Sequence, residues 1–204
     1  MKPTLKNEGR LVGGAKHEVR LIGGGKHEVR LIGGQWKRSK LPVASHPGLR
    51  PTPDRVRETL FNWLGQDLAG WRVLDAFAGS GALGFEAASR GAAEVLLLEN
   101  DPLLVASLRA TRERLQASTL RVEQADAMRW MAHAVPDSFD LALLDPPFDA
   151  GLGPRAAEAA ARLVAVGGWL YLEAAAPLAE TPAGLALQRE MRAGAVQVQL
   201  WRRV

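Results

Sequence analysis

From Trp71 to the carboxyl terminus, short apolar runs alternate with segments of helical spacing. That alternation predicts an α/β fold, a doubly wound and mostly parallel sheet covered on both faces. Strands are expected near 72–76, 94–98, 119–123, 139–144 and 168–173, and helices near 81–90, 101–116, 126–133 and 152–165. Leu185 to Arg189 and Ala195 to Arg203 add two strands, for seven in all. The last alternates Val196, Val198 and Leu200 with Gln197 and Gln199, which suits a place at or near an antiparallel edge. Ahead of the sheet, Arg50-Pro51-Thr52-Pro53-Asp54 opens a helix with Val56, Leu60, Phe61 and Leu64 as its apolar stripe. Thr52 or Asp54 is the expected cap, with Pro53 in the first turn, while Arg57 and Glu58 fall off the stripe, toward a ligand site or solvent.

The organising stretch runs from Val73 to Glu86, a buried strand that enters a glycine turn and then a helix. Gly79 and Gly81 permit positive φ and close ligand approach, so the turn and the helix N-terminus form a cofactor cradle. Gly79-x-Gly81-x-x-Gly84 also satisfies the dinucleotide fingerprint, with Glu99 ending the next strand. Asp75 separates the two readings. A carboxylate four positions before Gly79 would repel a pyrophosphate, but it suits the ammonium and sulfonium of S-adenosylmethionine.

Charge and composition add a front-to-back asymmetry. Through Arg57 there are 13 Lys and Arg against 4 Asp and Glu, and beyond it 13 against 18. A basic front on an acidic body suits a polyanionic partner, the other possibility being a solubilising tail. The length of 204 residues fits one domain of ordinary size. With no cysteine and four scattered histidines, disulfide and thiolate-metal chemistry are excluded, and no residue is assigned to a metal. No apolar leader or membrane span is evident, and a cytoplasmic monomer is the expectation.

The front contains ten-residue repeats, Arg10 to Val19, Arg20 to Val29 and Arg30 to Ser39, the third departing in its second half. Solenoid units need about 20 residues or more. Residues 1–29 therefore read as a duplicated, flexible extension, and 30–204 as the folded domain, including a basic arm over 30–70. His17 and His27 recur only because the repeat does. Between Gln35 and Arg50 an extended arm sets Trp36 among Lys37, Arg38, Lys40 and Arg50, as nucleic-acid contacts often do.

Two further carboxylates end strands. Glu99, after Val95 to Leu98, can accept both hydroxyls of a ribose, and Asp126 can take an adenine amino group or cap the following helix. Asp145-Pro146-Pro147-Phe148 follows the strand from Phe139 to Leu144 and lands across the switch point from the glycine turn. Its prolines fix the backbone and leave carbonyls free to accept. The Asp145 carboxylate and Pro146 carbonyl can hold an exocyclic NH2 by both hydrogens, with Phe148 stacked on the base.

These segments together resemble the bacterial family of 16S ribosomal RNA guanine-N2 methyltransferases. The resemblance rests on Arg30 to Lys37, Leu49 to Thr52, Arg57 to Leu64, Asp75 to Gly84, Ser89 to Ala92, Glu99-Asn100-Asp101 and Asp145 to Phe148. It implies a Rossmann-like class I methyltransferase fold that moves a methyl group from S-adenosylmethionine to the 2-amino group of one guanine. The partner would be 16S ribosomal RNA or an assembling small ribosomal subunit. By matching position, Asp75, Phe77, Gly79, Ser80, Gly81, Glu99, Asn100, Asp126 and Ala127 surround the cofactor, with Arg50 and Thr52 closing the site. Asp145, Pro146, Pro147 and Phe148 meet the guanine, and Trp36, Lys37, Arg38, Lys40 and Arg57 the RNA. The repeated extension before Arg30 departs from the family pattern. Alternatives are an amino methyltransferase for a DNA adenine or protein glutamine, an NAD-dependent oxidoreductase, and a noncatalytic RNA-binding assembly protein.

Overall fold

A computed structural model describes residues 28–43, 52–148 and 151–204. The first repeat copy, most of the second, and Arg50 lie outside the described residues.

The described chain begins with a ribbon, β1 (Glu28–Arg30) paired antiparallel with β2 (Lys40–Pro42), where the prolines and charges suggest an extended arm. Each strand buries one apolar residue, Val29 and Leu41. Helix α1 (Asp54–Trp63) buries Val56, Leu60 and Phe61. Neither expected cap holds it: Pro53 occupies the N-cap, the Asp54 carboxylate pairs with Arg57, and the Thr52 hydroxyl turns elsewhere.

The remaining elements are β3 (Arg72–Asp75), α2 (Ala82–Ser89), β4 (Glu94–Glu99), α3 (Pro102–Arg114), β5 (Leu120–Gln124), α4 (Ala127–His133), β6 (Phe139–Leu144), α5 (Gly153–Ala161), β7 (Val164–Ala174), β8 (Leu185–Ala193) and β9 (Val196–Arg203). They form a seven-stranded sheet in the order β5-β4-β3-β6-β7-β9-β8. The first five strands are parallel, and β9 runs antiparallel between β7 and the edge strand β8. The chain steps outward from β3 to β5, then returns to lay β6 beside β3. That reversal opens a crevice at the carboxyl ends of β3 and β6.

Strand alternation divides the core. Val73, Val95, Leu97, Leu141 and Leu143 face α1, α2 and α3, whereas Leu74, Leu98, Ala142, Leu144 and Leu172 face α4 and α5. One boundary departs from the periodic pattern. Helix α5 stops at Ala161 and β7 begins at Val164, with a bulge where Phe139 pairs Val164 but Leu141 pairs Trp169. The apolar run over 159–166 suits either element; Gly167, at φ 81°, sits within the bulge that lets the strand start early. Among the described residues, no helix is long and apolar enough to cross a membrane.

Candidate active site

Asp75 ends β3 and is almost completely buried. Its Oδ2 accepts the Gly84 N–H at 2.9 Å, while Oδ1 has no partner although it too is buried. Burial pushes the Asp75 carboxyl up to about 7, with the Gly84 bond opposing the rise and Glu99 adding repulsion. Gly84 is required by packing rather than by φ. A Cβ there would overlap Leu97 Cδ2 and come within 3.0 Å of Asp75 Oδ2. The turn itself uses positive φ at Gly79, 53°, and at Gly81, 78°, the latter as the left-handed N-cap of α2.

Glu99 fastens the turn to the next strand. Its Oε2 accepts the Gly79 N–H at 2.9 Å, and Oε1 accepts those of Asn100 and Asp101 at 2.8 and 2.9 Å. Oε1 is filled by its two N–H donors, whereas Oε2 keeps acceptor capacity toward the cleft. Asp126 caps α4, its Oδ1 accepting the Arg129 N–H at 2.8 Å, so the capping alternative is realised at a residue that also lines the cleft. Phe77, Gly79, Ser80, Asn100 and Ala127 line the same space.

That cleft, about 610 Å³, also receives Thr52, Asp145, Pro146, Pro147 and the exposed ring of Phe148. Its size is usual for small-molecule sites. Gly81 does not line it; a Cβ there would run into Phe85 and Leu108. Desolvation raises the Asp145 carboxyl well above the ordinary range, and the negative charges of Glu173 and Asp75 raise it further.

The structure adds a carboxylate that the motifs do not name. Glu173, near the end of β7, is buried, and its Oε1 accepts from the Thr52 hydroxyl and the Tyr171 hydroxyl, each at 2.8 Å. The Thr52 hydroxyl also lies 3.5 Å from Asp145 Oδ2. A signal was present: Glu173 closes an apolar strand just as Asp75, Glu99 and Asp145 do.

The basic residues are distributed differently from the expectation. Arg57 is completely buried, donating to Asp54 Oδ1 at 2.6 Å, to the Arg30 carbonyl at 2.8 Å and to Glu86 Oε2 at 3.4 Å. Its assignment to RNA is therefore corrected; an inward turn of α1 gives it three partners within the protein. Trp36 is half-buried against the core, whereas Lys37 and Arg38 are exposed and Lys40 pairs with Glu28 at 2.6 Å. The turn carrying them docks on the carboxyl end of α2, where the Gln35 and Trp36 N–H groups bond Ser89. The cleft lies at the other end of that helix.

A family model described as Conserved hypothetical protein 95 matches residues 29–202. The chain is 42% identical over 177 residues to Ribosomal RNA small subunit methyltransferase D of Escherichia coli (strain K12), covering 83% of this chain and 87% of the relative. The protein of that description from Haemophilus influenzae is 40% identical, with 81% and 89% covered. The solved structure of Escherichia coli yhhF superposes with a TM-score of 0.77 at 40% identity, covering 87% of this chain and 98% of that one.

Proposed function

Because the chain belongs to the Conserved hypothetical protein 95 family, we propose that it is a small-subunit ribosomal RNA methyltransferase that uses S-adenosylmethionine and modifies the 2-amino group of a guanine in 16S RNA. The relatives' names support the coarser reading. The observation that carries the finer one is the pairing, in one cleft, of an orphaned carboxylate oxygen with a proline-braced acceptor across the switch point.

The residues present fit the cofactor. Asp75 Oδ1, buried without a partner, is placed to take an ammonium, and Glu99 and Asp126 can take ribose and adenine donors. When bound, S-adenosylmethionine supplies a methyl group on a positively charged sulfur that leaves as a neutral thioether. Asp145 and the Pro146 carbonyl hold the two amine hydrogens, which frees the nitrogen lone pair from the ring and fixes its direction. Phe148 stacks on a base that has left its helix, or was never paired. As positive charge moves onto nitrogen, the Asp145 carboxylate stabilises it.

Cofactor affinity should depend on pH in a bell. Below about 7 Asp75 is protonated and loses its attraction for the ammonium, so affinity rises with pH through that value. It falls again as an α-amino group deprotonates near ~8. Calorimetric titration should show the acid limb in the natural chain and a weaker, nearly flat limb in Asp75→Asn; an unaltered limb would remove Asp75 from the ammonium site.

Cations of the basic turn that meet phosphates should make RNA binding salt-dependent. Replacing Lys37, Arg38 and Lys40 by Ala should lessen the slope of log affinity against log salt by about 1 for each phosphate that is no longer neutralised. An unchanged slope would show the turn to be an ordinary charged surface.

The decisive assay incubates the protein with methyl-labelled S-adenosylmethionine and unmodified small-subunit particles, followed by nucleoside analysis. Label in N2-methylguanosine supports the reading, and label in any other nucleoside or in protein overturns its guanine specificity.

A further inference from the structure

We propose that the Thr52 hydroxyl joins Asp145 and Glu173 into a relay that removes the proton the substrate amine must lose. The inference rests on the amine-methylation reading above. Its geometry is a line of three groups from three parts of the chain: Asp145 after β6, Thr52 ahead of α1 and Glu173 in β7. The hydroxyl stands 3.5 Å from Asp145 Oδ2 and 2.8 Å from Glu173 Oε1. Tyr171, completely buried on the same strand, donates to that Glu173 oxygen at 2.8 Å and fixes its position. Glu173 is itself about 2% exposed, so a proton delivered there is held away from the cleft until the methylated base leaves, and it then returns through Thr52 and Asp145 to water entering the emptied cleft.

The transfer balances. As the nitrogen gains its methyl group it loses one N–H proton to Asp145 Oδ2. Asp145 passes a proton to Thr52 Oγ1 while the proton already on that hydroxyl moves to Glu173 Oε1. The amine nitrogen ends neutral, Asp145 returns to a carboxylate, Thr52 is unchanged and Glu173 is a carboxylic acid. Glu173 acts through Thr52 and Asp145, not on the substrate, and is a positioning residue in that sense.

The surroundings favour the end state of the transfer, with one proton held on this pair. Burial raises the Glu173 carboxyl, opposed by the Thr52 and Tyr171 hydrogen bonds and by the positive charge of Arg57 from α1. Asp145 is raised by burial and by the charges of Glu173 and of Asp75 on β3. Burial, and then the neighbouring Glu173, push the Tyr171 phenol well above its usual range, and it stays a donor.

Two variants test the relay in single-turnover methyl transfer across pH, with small-subunit particles as acceptor. Glu173→Gln keeps hydrogen bonds to Thr52 and Tyr171 but cannot take the proton, so the plateau rate should fall by roughly tenfold to a hundredfold, at or below the usual contribution of a positioned base. Its acid limb should move to lower pH, because Asp145 loses a neighbouring negative charge. Thr52→Val breaks the line with both carboxyls in place, and its limb should move the other way; Thr52→Ser should recover most of the loss. Calorimetry well above pH 7, where Asp75 is ionised with or without the Glu173 charge, should find cofactor affinity unchanged in Glu173→Gln, and infrared titration of the free protein should lose one buried carboxyl signal.

A Glu173→Gln plateau equal to that of the natural chain, or a limb that stays in place, overturns the relay. Should Glu173→Gln not fold, Thr52→Val decides alone: a natural rate in it overturns the relay, and a loss recovered by serine upholds it. A natural chain that transfers no methyl to guanine overturns the underlying reading and the relay together, an outcome distinct from failure in the variants alone.

Discussion

Asp145→Ala is expected to slow methyl transfer by roughly a hundredfold or more, the usual cost of losing one hydrogen-bond partner of a transition state. In the proposed reaction the variant would remove the acceptor for one amine hydrogen and the charge that balances the nitrogen as it becomes cationic. Asp75, Glu99 and Asp126 are untouched, so cofactor affinity should change little. The loss should appear in kcat and in kcat/KM alike, the signature of an interaction made mainly in the transition state. Asp145→Asn separates the two contributions. It keeps an acceptor oxygen but no charge, and should fall between the natural chain and the alanine variant. Natural turnover in Asp145→Ala would place the chemistry elsewhere in the cleft.

Glu86→Ala should be the most damaging substitution away from the cleft. Glu86 lies in the wholly buried helix α2 and is itself completely buried. Its Oε1 pairs with Arg90 at 2.9 Å; Oε2 accepts the Ile32 N–H at 2.9 Å and faces Arg57 at 3.4 Å. One carboxylate therefore balances two enclosed guanidiniums and ties the segment after β1 to the sheet domain. Breaking a buried pair by removing one partner costs about 3–5 kcal/mol, because the surviving charge is left without compensation. At roughly 2–4 °C per kcal/mol for a chain of this size, the unfolding midpoint should drop on the order of 10 °C. Calorimetric melting measures this directly. A drop within a degree or two would mean that Asp54 and the Arg30 carbonyl suffice to hold Arg57, and that Arg90 is satisfied by Gln66 and the Phe61 ring.

How much of this was legible in the sequence depends on the kind of signal. The parallel strands and the carboxylates at their ends were readable, since a continuous apolar run that stops at Asp or Glu marks both a buried strand and its rim. Asp75, Glu99 and Asp145 all stand where that rule puts them. The same rule fits Glu173, which ends the strand expected near 168–173, but no turn motif follows it to mark it as part of a site, and its hydroxyl partners Thr52 and Tyr171 become visible only in the fold. Arg57 shows a different limit. Its place off the apolar stripe of α1 is compatible with solvent, with a ligand or with a buried anion, and only Glu86, 29 positions away, decides among them. The ribbon of β1 and β2 was equally hidden: three-residue strands carry too little periodicity to be seen, and what fixes them is docking onto Ser89.

The opposite placement of the basic turn and the cleft on α2 acts as a ruler. The helix has eight residues, so at 1.5 Å per residue its ends stand about 12 Å apart. An RNA held by Lys37 and Arg38 while its guanine enters the cleft must reach across that span, some three or four stacked nucleotides at about 3.4 Å per step. If the turn and the cleft meet one RNA as proposed, a target base on a very short oligonucleotide would not reach both ends, whereas a folded ribosomal surface would, and the length of α2 would then set a minimum size for the substrate.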